Sequence, residues 1–201
     1  MTGLRRFLEA PPPTAPPAER CEMCGVDLAA EHGHVVTVEN RALLCACRPC
    51  YLLFTREGAG QGRYRAVPDR VVRAPEFAIT DGQWDALQIP VGMAFFFRNS
   101  ELGRVAAFYP SPAGATESLL PMDTWTDILA ANPGLPEPAD DVEALLLRKP
   151  RGEPVECFLV PIDVCYDLVG RVRMYWKGFD GGTEAHREID GVFRRLRERA
   201  R

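Results

Sequence analysis

Five of the seven cysteines of this chain lie between residues 21 and 50, as C-E-M-C-G at 21–25 and C-A-C-R-P-C-Y at 45–51. Two C-x-x-C pairs, Cys21/Cys24 and Cys47/Cys50, are separated by 22 residues, close to the spacing of a four-thiolate metal site. Four thiolates suit Zn²⁺ in a closed tetrahedron with no position left for water. A module this small would depend on such an ion for folding. The expected ligands are Cys21, Cys24, Cys47 and Cys50. Cys45 is the spare, because a C-x-C pair is poorly shaped to share one ion. Iron is the competing occupant. Rubredoxins hold one iron between two C-x-x-C-G knuckles, and here Gly25 completes the first knuckle while Tyr51 follows the second. That departure favours zinc, and the fifth thiol keeps an iron–sulfur cluster open as well.

The order of elements around these cysteines is readable. C-E-M-C-G forms a knuckle in which Gly25 permits the tight turn. Residues 34–38 and 41–45 flank the turn candidate Glu39-Asn40 and predict a β-hairpin. The segment after Cys47-Arg-Pro-Cys50 begins a helix that Gly58 can stop. Knuckle, hairpin and a helix carrying the last two ligands make the order of a treble clef. Three regions are expected: a flexible Pro-rich arm (1–20), a four-cysteine metal-binding module (21–57) and an α+β domain (58–201).

In that last region the nearly continuous apolar run 91–97 reads as a buried strand, returned by 104–109 after a turn. Residues 142–147 and 155–160 are two further strand candidates. Helices are expected near 78–87, at 122–131 with Trp125, Ile128 and Leu129 on one face, from Pro161 to about Trp176, and from a Thr183 cap toward Arg199. The segment P-S-P-A-G-A-T-E-S (110–118) reads as a small-residue hydroxyl loop. The whole is an α+β fold with an antiparallel sheet of about four strands and two C-terminal helices.

The bulk properties exclude more than they assign. A net charge of −4 gives no whole-molecule attraction to nucleic acid. The arginines Arg63, Arg65, Arg70 and Arg73 are a local exception, which keeps a nucleic-acid-binding finger as a further alternative. No apolar run is long enough for membrane insertion, and the start lacks the apolar stretch of a signal peptide. An odd cysteine count argues against a closed disulfide framework, so a cytoplasmic location is expected. Cys157 and Cys165 sit in apolar surroundings and read as buried, inert thiols. His32 and His34 lie roughly where treble-clef nucleases place a catalytic histidine, but the rest of that signature is missing, so a surface or supporting role is expected. His186 is expected to face solvent. Asp163 and Asp167, one turn apart near a helix start, read as capping and dipole-complementing residues. No nucleophile–base pair and no open metal site can be assembled, so no enzymatic activity is expected.

Four segments, R-A-L-L-C-A-C-R-P-C-Y-L-L-F, F-Y-P-S-P-A-G-A-T-E-S, D-V-E-A-L-L-L-R and V-P-I-D-V-C-Y-D-L-V-G, resemble an uncharacterised actinobacterial domain family of about this length. Genes of that family often sit beside those of uptake [NiFe]-hydrogenases and their maturation factors. The resemblance implies an accessory or adaptor role in assembling or maturing a [NiFe]-hydrogenase, with hydrogenase subunits or maturation factors as protein partners. A rubredoxin-like one-electron carrier is the alternative. Two lysines against 22 arginines, with abundant Ala and Pro, fit a GC-rich genome.

Overall fold

The computed structural model describes residues 19–56, 58–118, 122–150, 152–178 and 180–200. The arm expected at 1–20 therefore lies outside the described residues, apart from Glu19 and Arg20. The N-terminal region contains β1 (Gly33–Thr37), β2 (Ala42–Ala46), the short helix α1 (Arg48–Leu52) and β3 (Tyr64–Ala66). Its sheet has the order β2-β1-β3, antiparallel throughout. The rest of the chain supplies β4 (Val72–Arg73), α2 (Asp81–Ala86), β5 (Met93–Asn99), β6 (Arg104–Ser111), β7 (Gly114–Ser118), α3 (Met122–Ala131), β8 (Glu143–Arg148), β9 (Glu156–Pro161), α4 (Ile162–Tyr175) and α5 (Gly182–Arg199). These strands form a six-stranded antiparallel sheet of order β4-β9-β8-β5-β6-β7. The fold is thus mixed α+β with antiparallel sheets and two C-terminal helices.

The central strands are apolar without alternation because helices cover both faces of this sheet. Phe95, Phe97, Leu146, Phe158 and Val160 face α4 and α5, where they meet Cys165, Leu168, Val172, Ile189 and Phe193. Ala94, Phe96, Leu145, Leu147 and Leu159 face α2 and α3, where they meet Trp84, Trp125 and Ile128. Phe96 lies flat on Trp125 with ring centroids 3.9 Å apart. Leu129 is 37% exposed and does not share the buried face expected for it beside Trp125 and Ile128.

The larger sheet has more strands than the four expected. The hydroxyl-rich segment at 110–118 is not a loop. It finishes β6, turns over Pro112-Ala113, and returns as β7, with Ser111 opposite Gly114. Its polarity reflects an edge position, where one row of side chains faces water. Thr80 caps α2 with a full capping box to Gln83. Thr183 is not a cap, because Gly181 takes the N-cap position of α5 in the left-handed region.

Two buried carboxylates organise the connection into β8. Glu143 is fully buried and accepts two bonds from the Arg70 guanidinium, at 2.6 and 2.7 Å, and one from the Ala139 amide. Asp141 accepts from the Ser100 amide and hydroxyl. Arg65 of β3 reaches Asp141 at 3.6 Å and donates to the carbonyl of Asp140, tying the smaller sheet to the larger one.

Candidate metal centre

Each half of the site is built from local hydrogen bonds. In the first knuckle, Gly25 takes φ +77° and its amide bonds to the carbonyl of Cys21, while the Cys21 amide bonds to Val26. In the second, Cys47 is the N-cap of α1 and Pro49 lies in the first turn, where the missing amide costs nothing. The hairpin joins the halves. Glu22 and Cys45 exchange two bonds, one from the Glu22 amide to the Cys45 carbonyl and one from the Cys45 amide to the Glu22 carboxylate. Cys45 therefore anchors the knuckle through its backbone, two residues before the expected ligand Cys47.

The outcome is that Cys21, Cys24, Cys47 and Cys50 converge, with their four sulfurs within 4.8 Å of one another. All are free thiols. Cys24 Sγ and Cys47 Sγ are 3.6 Å apart, far beyond a disulfide bond. A tetrahedral ion with metal–sulfur bonds of about 2.3 Å sets neighbouring sulfurs about 3.8 Å apart. The donor set and its spacing fit a Zn²⁺-sized ion, and the same geometry admits iron.

The thiols are not electrostatically alike. The Cys47 amide, helped by those of Met23 and Cys24, outweighs burial and holds the Cys21 thiol down at about 6. Cys50, bonded to the Cys47 thiol and shielded from solvent, is pushed up to about 12. Binding of an ion by these thiols would expel protons, as thiolate coordination does generally.

α1 is held against β1 by Tyr51, whose hydroxyl donates to the Val67 carbonyl at 2.9 Å. The Tyr51 ring packs so close to Gly33 that a Cβ there would meet it at 2.7 Å. Cys157 and Cys165 are buried free thiols, and burial pushes the Cys157 thiol to about 12 and that of Cys165 well above the ordinary thiol value.

The polar residues singled out in the sequence have specific partners. Asp163 does not cap α4. It sits 2.8 Å from His34 Nδ1, joining the hairpin to the body. Asp167 accepts from Arg171 one turn along α4. Arg65 and Arg70 are engaged by Asp141 and Glu143, Arg73 lies 3.8 Å from Glu156, and Arg63 rests over the Tyr64 ring. His186 Nδ1 lies 2.8 Å from the carbonyl of Gly182. His32, His34 and Cys45 form a second cluster that the sequence reading missed, having taken them one at a time. The signal was the H-x-H spacing opposite a cysteine on the returning strand.

Among the described residues, no helix is long and apolar enough to cross a membrane. Residues 20–200 match the family described as Family of unknown function (DUF5947). No curated protein and no solved structure matches the chain.

Proposed function

We propose that this chain, which belongs to the family of unknown function DUF5947, is a zinc-stabilised accessory protein acting through protein–protein contacts. The observation that carries this reading is the closed four-cysteine donor set. Four thiolates fill a tetrahedral ion and leave no position for substrate, so the metal's task is to hold the knuckle and α1 rigid. Around it the chain exposes apolar side chains: Val26 is 50%, Leu52 49% and Leu53 66% exposed. Each lies within three residues of a site cysteine, as a metal-braced contact surface would place them. The seven free thiols fit a reducing cytoplasm.

The proposed partner is a [NiFe]-hydrogenase under assembly or maturation. That choice rests on the resemblance of the cysteine-containing and C-terminal segments to a family encoded near such genes, an argument by association. The arginines that prompted a nucleic-acid reading are engaged by carboxylates or a ring, which leaves that alternative with little support. Elemental analysis of anaerobically purified protein separates zinc from iron. Stoichiometric zinc in a colourless protein is expected, and stoichiometric iron with visible absorption would replace the adaptor by an electron carrier. Co-purification with hydrogenase subunits is the test of the partner. Normal hydrogenase processing and activity in a deletion strain would reject it.

A further inference from the structure

Beside the four-thiolate centre, the hairpin carries a second set of donors. His34 and Cys45 are directly opposed in the β1–β2 register. His32 lies just before β1, two residues ahead of His34, and its ring meets that of His34 edge-on with centroids 5.0 Å apart. One ring nitrogen of each histidine and the Cys45 sulfur lie within 4.8 Å of one another.

Each ring has an oxygen acceptor behind its Nδ1. His34 Nδ1 is 2.8 Å from Asp163 Oδ2, and His32 Nδ1 is 3.0 Å from the carbonyl oxygen of Ala29. Both oxygens are acceptors, so Nδ1 is the donor, and a metal-binding imidazole held this way offers its lone pair from Nε2. A carboxylate or a carbonyl behind Nδ1 is the usual support of a metal-bound histidine. The His32 side chain is only 9% exposed, and its Nε2 is buried without a hydrogen-bond partner among the described residues. Burying that nitrogen with nothing to bind is unfavourable. A cation between it, His34 and Cys45 removes the penalty. Tyr51 adds rigidity from the other side, because its close packing on Gly33 fixes the backbone between the two histidines.

We propose that His32, His34 and Cys45 form a second metal site, separate from the four-cysteine centre, for one borderline-soft divalent ion of the zinc class. Two imidazole nitrogens and a thiolate exclude Mg²⁺ and Ca²⁺, which take oxygen donors. Loading releases the Cys45 thiol proton to solvent, and each Nε2 contributes its lone pair. Three protein donors leave a fourth tetrahedral position for water or a small ligand. The closed site offers no such position. Asp163, the first acidic residue of α4, ties the ion's coordination shell to the larger sheet's helical layer.

The test uses the full chain, stripped of metal and kept reduced and anaerobic, titrated with Co²⁺ and followed by absorption. The wild type is expected to take two equivalents with two distinct visible spectra. His32→Ala and Cys45→Ser are each expected to take one, retaining the spectrum of the four-thiolate ion. Asp163→Asn is expected to weaken only the second equivalent, by about 10- to 100-fold. Circular dichroism checks folding, and His32→Ala, which leaves the β1–β2 register untouched, carries the test if Cys45→Ser does not fold. Saturation of the wild type at one equivalent would overturn the proposal. So would a second equivalent indifferent to His32→Ala. Failure of the four-thiolate centre is a different result, since Cys47→Ser would then leave the first equivalent in place.

Discussion

The two sheets of this protein are held together by different physics. In the six-stranded sheet β5, β8 and β9 are buried nearly end to end, and helices close both faces. In the three-stranded sheet only Val35, Val36 and Ala46 are buried among the strand residues, and α1 buries none. Burial of apolar area, worth about 25 cal/mol per Å², can sustain the first. The second buries few residues of its own, so docking on the body and, under the proposed reading, the metal are what would hold it. The docking is specific: Val36 and Val67 join the core beneath α4 and α5, the Tyr166 hydroxyl donates to the Arg41 carbonyl, and His34 meets Asp163. A small sheet placed this way has a larger neighbour on one side and, at its other end, a four-cysteine cluster able to take an ion.

Removing the ion should break this contrast most sharply. Cys47→Ser, or a strong chelator, is expected to abolish zinc retention and collapse the amide-exchange protection of residues 21–56, while β5, β8 and β9 stay protected. Structural zinc sites contribute on the order of 10 kcal/mol to the folding they support. Loss of protection throughout the chain would show instead that the two sheets fold as one unit. The reverse experiment is Phe158→Ala, at a fully buried ring against Phe193. It should cost about 3–5 kcal/mol in denaturant unfolding of the body, with zinc stoichiometry in the remaining folded protein unchanged.

Next in size is Arg70→Ala, which strands the buried Glu143 carboxylate with only the Ala139 amide. A loss of about 3 kcal/mol is expected, measured by thermal unfolding, and a double variant with Glu143→Gln should recover part of it. The smallest effect belongs to the outer rim. Arg197, foremost, holds the Glu156 carboxyl below its ordinary 4.5. A carboxyl lowered in the folded state adds stability above the unfolded value and loses it as pH falls through the folded one. Glu156→Gln should therefore cost about 0.5 kcal/mol at neutral pH, since its arginine partner is partly exposed. That difference should shrink toward zero as unfolding is measured below pH 4.5.

The candidate site was legible where its information is local. Two C-x-x-C pairs announce ligands because the residues between them make the turns that aim the sulfurs, and Gly25 can be recognised from its tight turn alone. Helices α3 and α4 were placed closely by periodicity and by Pro161. The strand β7 escaped because Gly, Ala, Thr and Ser carry little strand signal, and its pairing with β6 depends on an edge that only the assembled sheet provides.

What the residue order settled by itself was the clustering of four cysteines, the positions of α3 and α4 and the buried character of the strand within 91–97. Each of these follows from covalent spacing or from the period of apolar residues along a single element, whereas the helix expected to run toward Gly58 ends at Leu52. Only the tertiary structure decided that Cys45 stands across from His34, that Asp163 turns to that histidine instead of capping α4, and that the arginines of 63–73 are engaged within the fold. Those contacts join side chains far apart in the chain, and their selection depends on strand register and on packing between elements, which no local pattern encodes.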